Sequence, residues 1–291
     1  MPHENQTKAN QDRNTMSRNH RLFRKYPLSG KATISTGEVP TPYHIYDGFG
    51  ALIGGTADLS TVRQLLKNEI VAPVDNGDGR TPMAIWICKF TDASLGPHHE
   101  LQFSFFTGDR TNGVSTSHPF DLLAFMADPG TKMLCHGLWN STVQVVAYNR
   151  ELLSLNARLA SSHICNKAGQ LRFAFADQGT REPVLSGTLP NCTQFSMRAT
   201  WDAMTRIGFR GAWAMARQPW VGLQILNPTG VSLPRNAVAE SFTKNHANVV
   251  RYFDPPTDEL SFGPTPYASL GFRPQFVQYM TGFKFVYLEP H

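Results

Sequence analysis

Tyr148-Asn-Arg-Glu-Leu-Leu-Ser-Leu-Asn-Ala-Arg-Leu-Ala160 is the stretch on which the reading of the chain turns. It sets a cation beside an anion, Arg150-Glu151, and follows them after five residues with Ala157-Arg158. The adjacent charges read in two ways: as a pocket pair in which Arg150 clamps a substrate oxygen and Glu151 orients it, or as a structural ion pair. Arg158 stays protonated at any working pH. Ala157 offers no nitrogen for covalent chemistry.

The same stretch resembles the active-site segment of the acetoacetate decarboxylase family, whose pattern runs Gly-Arg-Glu-x-x-Gly-x-Pro-Lys-Lys-x-Ala. Arg150, Glu151 and Ala160 match it. Asn149 and Ser154 stand in place of the two glycines, Asn156 in place of the proline, and Ala157-Arg158 in place of the lysine pair. In that family the first lysine forms a Schiff base and the second lowers its pKa by cationic repulsion. The resemblance therefore implies a divergent member with the family's body and without its nucleophile. A second stretch, Gly96-Pro-His-His-Glu100, resembles the family's Gly-Pro-Tyr-x-Glu, with Glu100 at the glutamate and His98 at the tyrosine.

Period-two alternation after Glu100 turns Glu100, Gln102 and Ser104 to one side and Leu101, Phe103 and Phe105 to the other. A face of that polarity is solvent-facing or lines a polar interior, and the resemblance favours the interior. It implies a mostly β (α+β) fold, a closed antiparallel barrel or cone with a few short helices and a pocket inside. Catalytic candidates are then Glu100, Arg150, Glu151 and His136, with Glu100 and Arg150 lining one pocket and His136 nearby. Substrate-contact candidates are Gln102, Ser104, Trp139, Tyr148 and Arg158.

Frequent, scattered glycine and proline (23 and 20 residues of 291) point to many short strands. Strands are expected over Gly48–Gly55, Met83–Phe90, Leu101–Phe106, Val143–Tyr148, Leu171–Phe175, Phe195–Arg198, Trp220–Leu226, Val249–Phe253 and Phe283–Tyr287. Asp58-Leu-Ser60 offers helix-capping side chains before Val62–Leu66. Phe120–Met126 and Trp201–Ile207 read as short helices, and Asn227–Gly230, Asp254–Pro256 and Gly263–Pro266 as turns.

The formal net charge is +5. Much of the excess lies in the first twenty-five residues, read as a disordered basic arm (1–25) ahead of a single domain (26–291). With that arm set aside the body is close to neutral, and no basic-aromatic stripe suggests nucleic acid as a partner. Four cysteines without C-x-x-C or C-x-x-H spacing argue against zinc and against a disulfide framework. Reduced thiols, no apolar run of membrane-spanning length and no apolar leader suggest a cytoplasmic protein. No phosphate loop, dinucleotide fingerprint or catalytic-triad spacing is present, so no cofactor is expected. A small-molecule substrate is expected, and a homo-oligomer is compatible with the sequence.

Three functions fit these residues. One is a cofactor-independent enzyme on a carbonyl-rich, largely apolar small molecule, catalysing dehydration, isomerisation or cyclisation, as in secondary metabolism. Another is a non-catalytic binding protein using the same pocket. The third is a Schiff-base decarboxylase or aldolase with a displaced lysine such as Lys89, Lys132 or Lys167.

Overall fold

The chain is organised on its longest strand, the sixteen residues Tyr43–Asp58. The computed structural model describes residues 18–69, 71–107, 118–123, 132–217, 220–221, 225–226, 241–244 and 247–288. Strands are β1 (Gly30–Ile34), β2 (Gly37–Thr41), β3 (Tyr43–Asp58), β4 (Arg80–Ala93), β5 (His98–Thr107), β6 (Lys132–Asn140), β7 (Ala157–Lys167) and β8 (Gln170–Asp177). They continue with β9 (Pro183–Leu189), β10 (Trp220–Val221), β11 (Ile225–Leu226), β12 (Ser241–Lys244), β13 (Ala247–Tyr252), β14 (Glu259–Phe262), β15 (Arg273–Thr281) and β16 (Lys284–Tyr287). Helices are α1 (Arg21–Lys25), α2 (Leu59–Leu65), α3 (Val143–Glu151) and α4 (Met197–Arg217), the last interrupted at Gly208 (φ 72°, ψ 165°).

β1 and β2 form a hairpin, and the other strands form one curled sheet in the order β10-β12-β16-β3-β4-β5-β6-β7-β8-β9-β14. β15 shares the outer edge of β3 with β16 and carries β13 beyond it. Among the described residues no pairing joins the two ends of this order. The sheet is a curled half-barrel, and the closed barrel expected from the sequence is not formed. Nor is it purely antiparallel: β6 pairs in parallel with β7 and with β11.

That parallel step corrects a second expectation. Val143–Tyr148, rich in β-branched residues that favour strands, is helical and opens α3. A parallel pair needs a crossover between its strands, which a helix supplies. α3 is that crossover from β6 to β7, and tertiary topology overrides local propensity. Phe195–Arg198 is likewise not a strand. Ser196 Oγ accepts from Ala199 N at 3.2 Å, in the manner of an N-cap, and Met197 begins α4.

The cap at Asp58 forms as the sequence suggests, with Oδ1 accepting from Thr61 N at 2.8 Å. Of Phe120–Met126 only the first four residues are described, with 121–123 helical. Trp220–Leu226 is described only as the two short strands β10 and β11, and Asn227–Gly230 lies outside the described residues.

Each face of the sheet buries its own apolar layer. One layer holds Leu52, Trp86, Cys88, Leu138, Tyr148, Phe276 and Met280, and includes residues of α3 and α4. Opposite it lie Ile53, Ile85, Leu101, Phe103, Trp139, Phe173 and Tyr267. Two close approaches depend on glycine. A Cβ on Gly54 would fall 2.2 Å from the Phe276 ring, and one on Gly137 would fall 2.1 Å from the Tyr267 hydroxyl. Register irregularities on either side of Asp47 change the parity of β3, so Tyr43 and Ile45 join the layer of Leu52.

The folded body begins before the expected boundary at 25/26. Leu22 and Phe23 of α1 are buried with Tyr46 and Val286, and the Phe23 ring lies 4.9 Å from those of His44 and Tyr46. Arg18 Nη2 pairs with Asp92 Oδ1 at 2.8 Å. Residues 1–17 of the expected arm lie outside the described residues. Among the described residues no helix is long and apolar enough to cross a membrane.

Phe23→Ala should therefore lower unfolding free energy by about 3 kcal/mol, the ordinary cost of emptying a buried phenylalanine site. Equilibrium urea unfolding measures it. A loss within about 0.5 kcal/mol, as at a surface position, would mean that α1 does not contribute to the body.

Candidate active site

Residues directly opposite in paired strands share a face, so the register assembles the inner surface in rows. One row reads Met280, Gly50, Cys88, Glu100 and Asn140 across β15, β3, β4, β5 and β6. The next reads Gln278, Leu52, Trp86, Gln102, Leu138 and Ala157, reaching β7. A third, Phe276, Gly54, Ala84, Ser104 and Cys135, completes the surface. Glu100, Gln102 and Ser104 thus share the buried inner face, and Gln102 Nε2 donates to Ser104 Oγ at 2.6 Å.

Glu100 is 8% exposed. Asn140 Nδ2 donates to its Oε2 at 2.9 Å, and Asn149 Nδ2 of α3 donates to Asn140 Oδ1 at 2.9 Å. No cation pairs with Glu100 among the described residues. Burial disfavours the carboxylate and pushes the pKa up to about 7, with the Asn140 hydrogen bond offsetting part of that rise. The Cys88 and Cys135 thiols on the same face are also pushed up by burial and by the Glu100 charge.

A second polar group borders Glu100. His98 Nδ1 lies 2.9 Å from the Gly96 carbonyl, which can only accept, so Nδ1 carries the proton. Burial holds the ring neutral, with a pKa lowered to about 4. Nε2 is then an acceptor, and the Tyr43 hydroxyl donates to it at 2.7 Å. The Tyr43 ring lies 5.2 Å from that of Tyr148 and 6.2 Å from that of Tyr287, with which it stacks. Burial raises the pKa of Tyr43 and Tyr287, and the Glu100 charge adds to it, so both phenols stay protonated.

The remaining sequence candidates lie elsewhere. Arg150 is exposed, and its Nε donates to the Ala157 carbonyl at 2.5 Å, closing the turn from α3 into β7. Glu151 is also exposed and accepts from the backbone N (2.8 Å) and hydroxyl of Ser35 at the tip of the β1–β2 hairpin. The Arg-Glu pair therefore does not line a pocket with Glu100. The register of β5 against β6 skips His136, which turns to the opposite face with Nδ1 2.8 Å from the Tyr267 hydroxyl. Burial and the Arg158 charge lower its pKa to about 4. Trp139 and Arg158 lie on that opposite face as well, converging on Asp177 Oδ2 at 2.9 and 3.7 Å. Of the nine residues singled out, the structure brings together Glu100, Gln102, Ser104 and Tyr148.

No lysine proposed as a substitute nucleophile is described on the inner face. Lys89 is paired with His99 on the other side and donates to the Ile164 carbonyl at 3.4 Å. Lys167 is exposed, and the Lys132 side chain lies outside the described residues. Buried Lys284 alternates with Tyr287 and shares the side of Val286, facing away from the Glu100 cluster. Ala157, by contrast, is fully buried on the Glu100 face. Among the described residues no group of three or more His, Cys, Asp or Glu side chains is placed to hold a metal ion.

Sequence reasoning missed Tyr43, Asn140, Asn149 and Tyr287 as site residues. Asn149 had a visible signal, because it departs from glycine in the pattern that Arg150 and Glu151 match. Tyr43 had none, because its facing depends on the irregularities at Asp47.

No protein-family model matches the chain, and no curated protein matches it. Its fold is similar to that of the acetoacetate decarboxylase from Legionella pneumophila (TM-score 0.56, 10% identity, 92% of this chain and 93% of that chain). A second acetoacetate decarboxylase structure gives a TM-score of 0.55 at 14% identity over 86% and 87% of the two chains. The enduracididine biosynthesis enzyme MppR, in complex with the condensation product of pyruvate and imidazole 4-carboxaldehyde, gives 0.51 at 11% identity over 86% and 88%. At these identities the likeness is one of fold.

Glu100 makes a signed prediction. Its folded pKa of about 7 lies above the ordinary carboxyl value of 4.5, so its stabilising contribution is complete below 4.5 and lost as pH rises through 7. Glu100→Gln should therefore be more stable than the parent at pH 8, and that advantage should shrink or vanish at pH 5. Urea unfolding of both proteins at the two pH values checks this. A difference that does not change with pH would contradict the raised pKa.

Proposed function

On the acetoacetate decarboxylase fold that this chain shares, we propose an acid–base enzyme that acts on a small carbonyl compound without an imine. The observation that carries this reading is Glu100, a buried carboxyl whose one side-chain donor among the described residues is the Asn140 amide, and whose pKa is pushed up to about 7. A general base works best with a pKa near the operating pH, where it is both available and able to hold a proton. Glu100 takes a proton from the carbon next to a carbonyl, leaving an enolate. The Tyr148 and Tyr287 phenols, on the same face, supply hydroxyls toward the oxygen that gains charge. Returning the proton at another carbon gives isomerisation. Expulsion of a β-hydroxyl, leaving as water with the proton that Glu100 holds, gives dehydration. Attack of the enolate carbon on a second carbonyl, whose oxygen then takes that proton, gives condensation or cyclisation.

Ala157 supports the absence of Schiff-base chemistry, since it occupies the inner-face position that the family pattern gives to lysine. The pyruvate-derived ligand named for the MppR structure supports small carbonyl compounds as the substrate class.

Deuterium exchange tests the reading. Pentane-2,4-dione and acetoacetate in heavy water should exchange their central hydrogens faster with the protein than without it, along a pH profile inflecting near 7. Glu100→Gln should lose roughly 100-fold or more of that enhancement. Enhancement that survives the substitution would remove Glu100 from the mechanism, and ligand binding without any enhancement would favour a carrier.

Borohydride added to the protein with acetoacetate should leave its mass unchanged. In Ala157→Lys the same treatment should give one adduct on the introduced amine. An adduct on a native lysine would overturn the imine-free reading.

A further inference from the structure

Beside the Glu100 row lie two buried polar atoms that the acid–base reading does not use. Trp86 Nε1 and Gln278 Oε1 have no hydrogen-bond partner among the described residues, although their side chains are only 7% and 2% exposed. Leaving a buried donor or acceptor unmatched costs stability, so each such atom needs a reason. Both belong to one row of the inner face, where Gln278 pairs across β15 and β3 with Leu52, and Leu52 pairs across β3 and β4 with Trp86. Two strand spacings, about 10 Å, separate their backbones, with the Leu52 side chain between them.

Their chemistry is complementary. An indole N–H can only donate. Gln278 Nε2 donates to Asn248 Oδ1 at 3.1 Å, which fixes the amide and leaves Oε1 as an acceptor. A single ligand atom that satisfies both is a hydroxyl oxygen, taking the indole hydrogen and giving its own to the glutamine. Neither partner carries charge, so a carboxylate or an ammonium there would lose its hydration without compensation. Trp86 is also two residues along β4 from Cys88, the cross-strand partner of Glu100, so the row lies one step from the carboxyl.

We infer that Trp86 and Gln278 form a specificity subsite for a hydroxyl at the end of the substrate remote from the reacting carbonyl. Leu52 is the apolar floor between the two. The substrate class is then a hydroxylated carbonyl compound, an alcohol or phenol joined by an apolar spacer to the carbonyl. This assignment rests on the acid–base reading for its carbonyl end.

The test compares 1-phenylbutane-1,3-dione with its 4-hydroxyphenyl counterpart, titrated calorimetrically into the full-length protein. The wild-type protein should bind the hydroxylated compound at least about tenfold more tightly, as expected for satisfying two buried groups. Trp86→Phe, which keeps an aromatic ring and removes the N–H, and Gln278→Leu should each bring that preference close to unity. The preference is read apart from stability, because Trp86→Phe also loses buried volume and Gln278→Leu also loses the hydrogen bond to Asn248 Oδ1.

Equal affinity for the two diketones, or binding of neither, overturns the subsite. So does a preference that survives both substitutions. The wild-type comparison holds even where a variant fails to fold. A hydroxyl preference without Glu100-dependent exchange keeps the subsite and removes the acid–base reading. Exchange without a preference does the reverse.

Discussion

Holding a carboxyl group inside an apolar layer with amides for neighbours is the constraint around which this structure is arranged. The Asn149–Asn140–Glu100 chain ties α3, β6 and β5 together through two hydrogen bonds of 2.9 Å. It exists only because α3 returns the chain so that β7 can run parallel to β6, which brings Asn149 back over the end of the strand carrying Asn140. An ionised carboxylate in such a place costs several kcal/mol unless it is well paired. One amide donor cannot offset that, and the group settles near neutrality instead. Fold and chemistry meet in this one compromise.

What the sequence made legible was whatever depends on regular alternation or on a local cap. Glu100, Gln102 and Ser104 lie on one buried face because β5 alternates without interruption through them. Asp58 caps α2 through a contact three residues long, which needs no tertiary information. Alternation fails where the register slips. The skipped residue at His136 and the irregularities at Asp47 each reverse which side a side chain takes. His136 therefore leaves the site expected for it, and Tyr43 enters it unannounced. Closure of the sheet was illegible for another reason. It depends on which strands meet at the edges, and no local pattern encodes that.

The Arg150-Glu151 pair shows how a motif can point to the right fold through residues with a different task. Arg150 fastens the turn that leads into β7, and Glu151 fastens the β1–β2 hairpin to the end of α3. Both contacts hold the segment that sets Ala157 beside Leu138 on the inner face. Their exposure places them away from a reacting carbonyl. Sequence alone left open a pocket pair or a structural ion pair, and the geometry gives each residue its own structural contact, with no ion pair between them among the described residues.

Two departures from the family pattern, Ala157 and Asn149, act on the same group. A lysine at 157 would project from the face that carries Glu100, and a nearby cation favours the charged form of a carboxyl and draws its pKa down. Alanine removes that influence. Asn149, where the pattern has glycine, adds a neutral donor that orients Asn140 without supplying charge. The pair of changes leaves Glu100 able to exchange a proton near pH 7. On the acid–base reading it also gives up the electron sink that the family pattern's lysine would offer, the protonated imine. Phenol and amide donors stabilise an enolate less than a covalent cation does. On the acid–base reading, the substrates within reach are those whose hydrogens are already acidic, such as 1,3-dicarbonyl compounds, in which a second carbonyl of the substrate takes over part of the work of the missing amine.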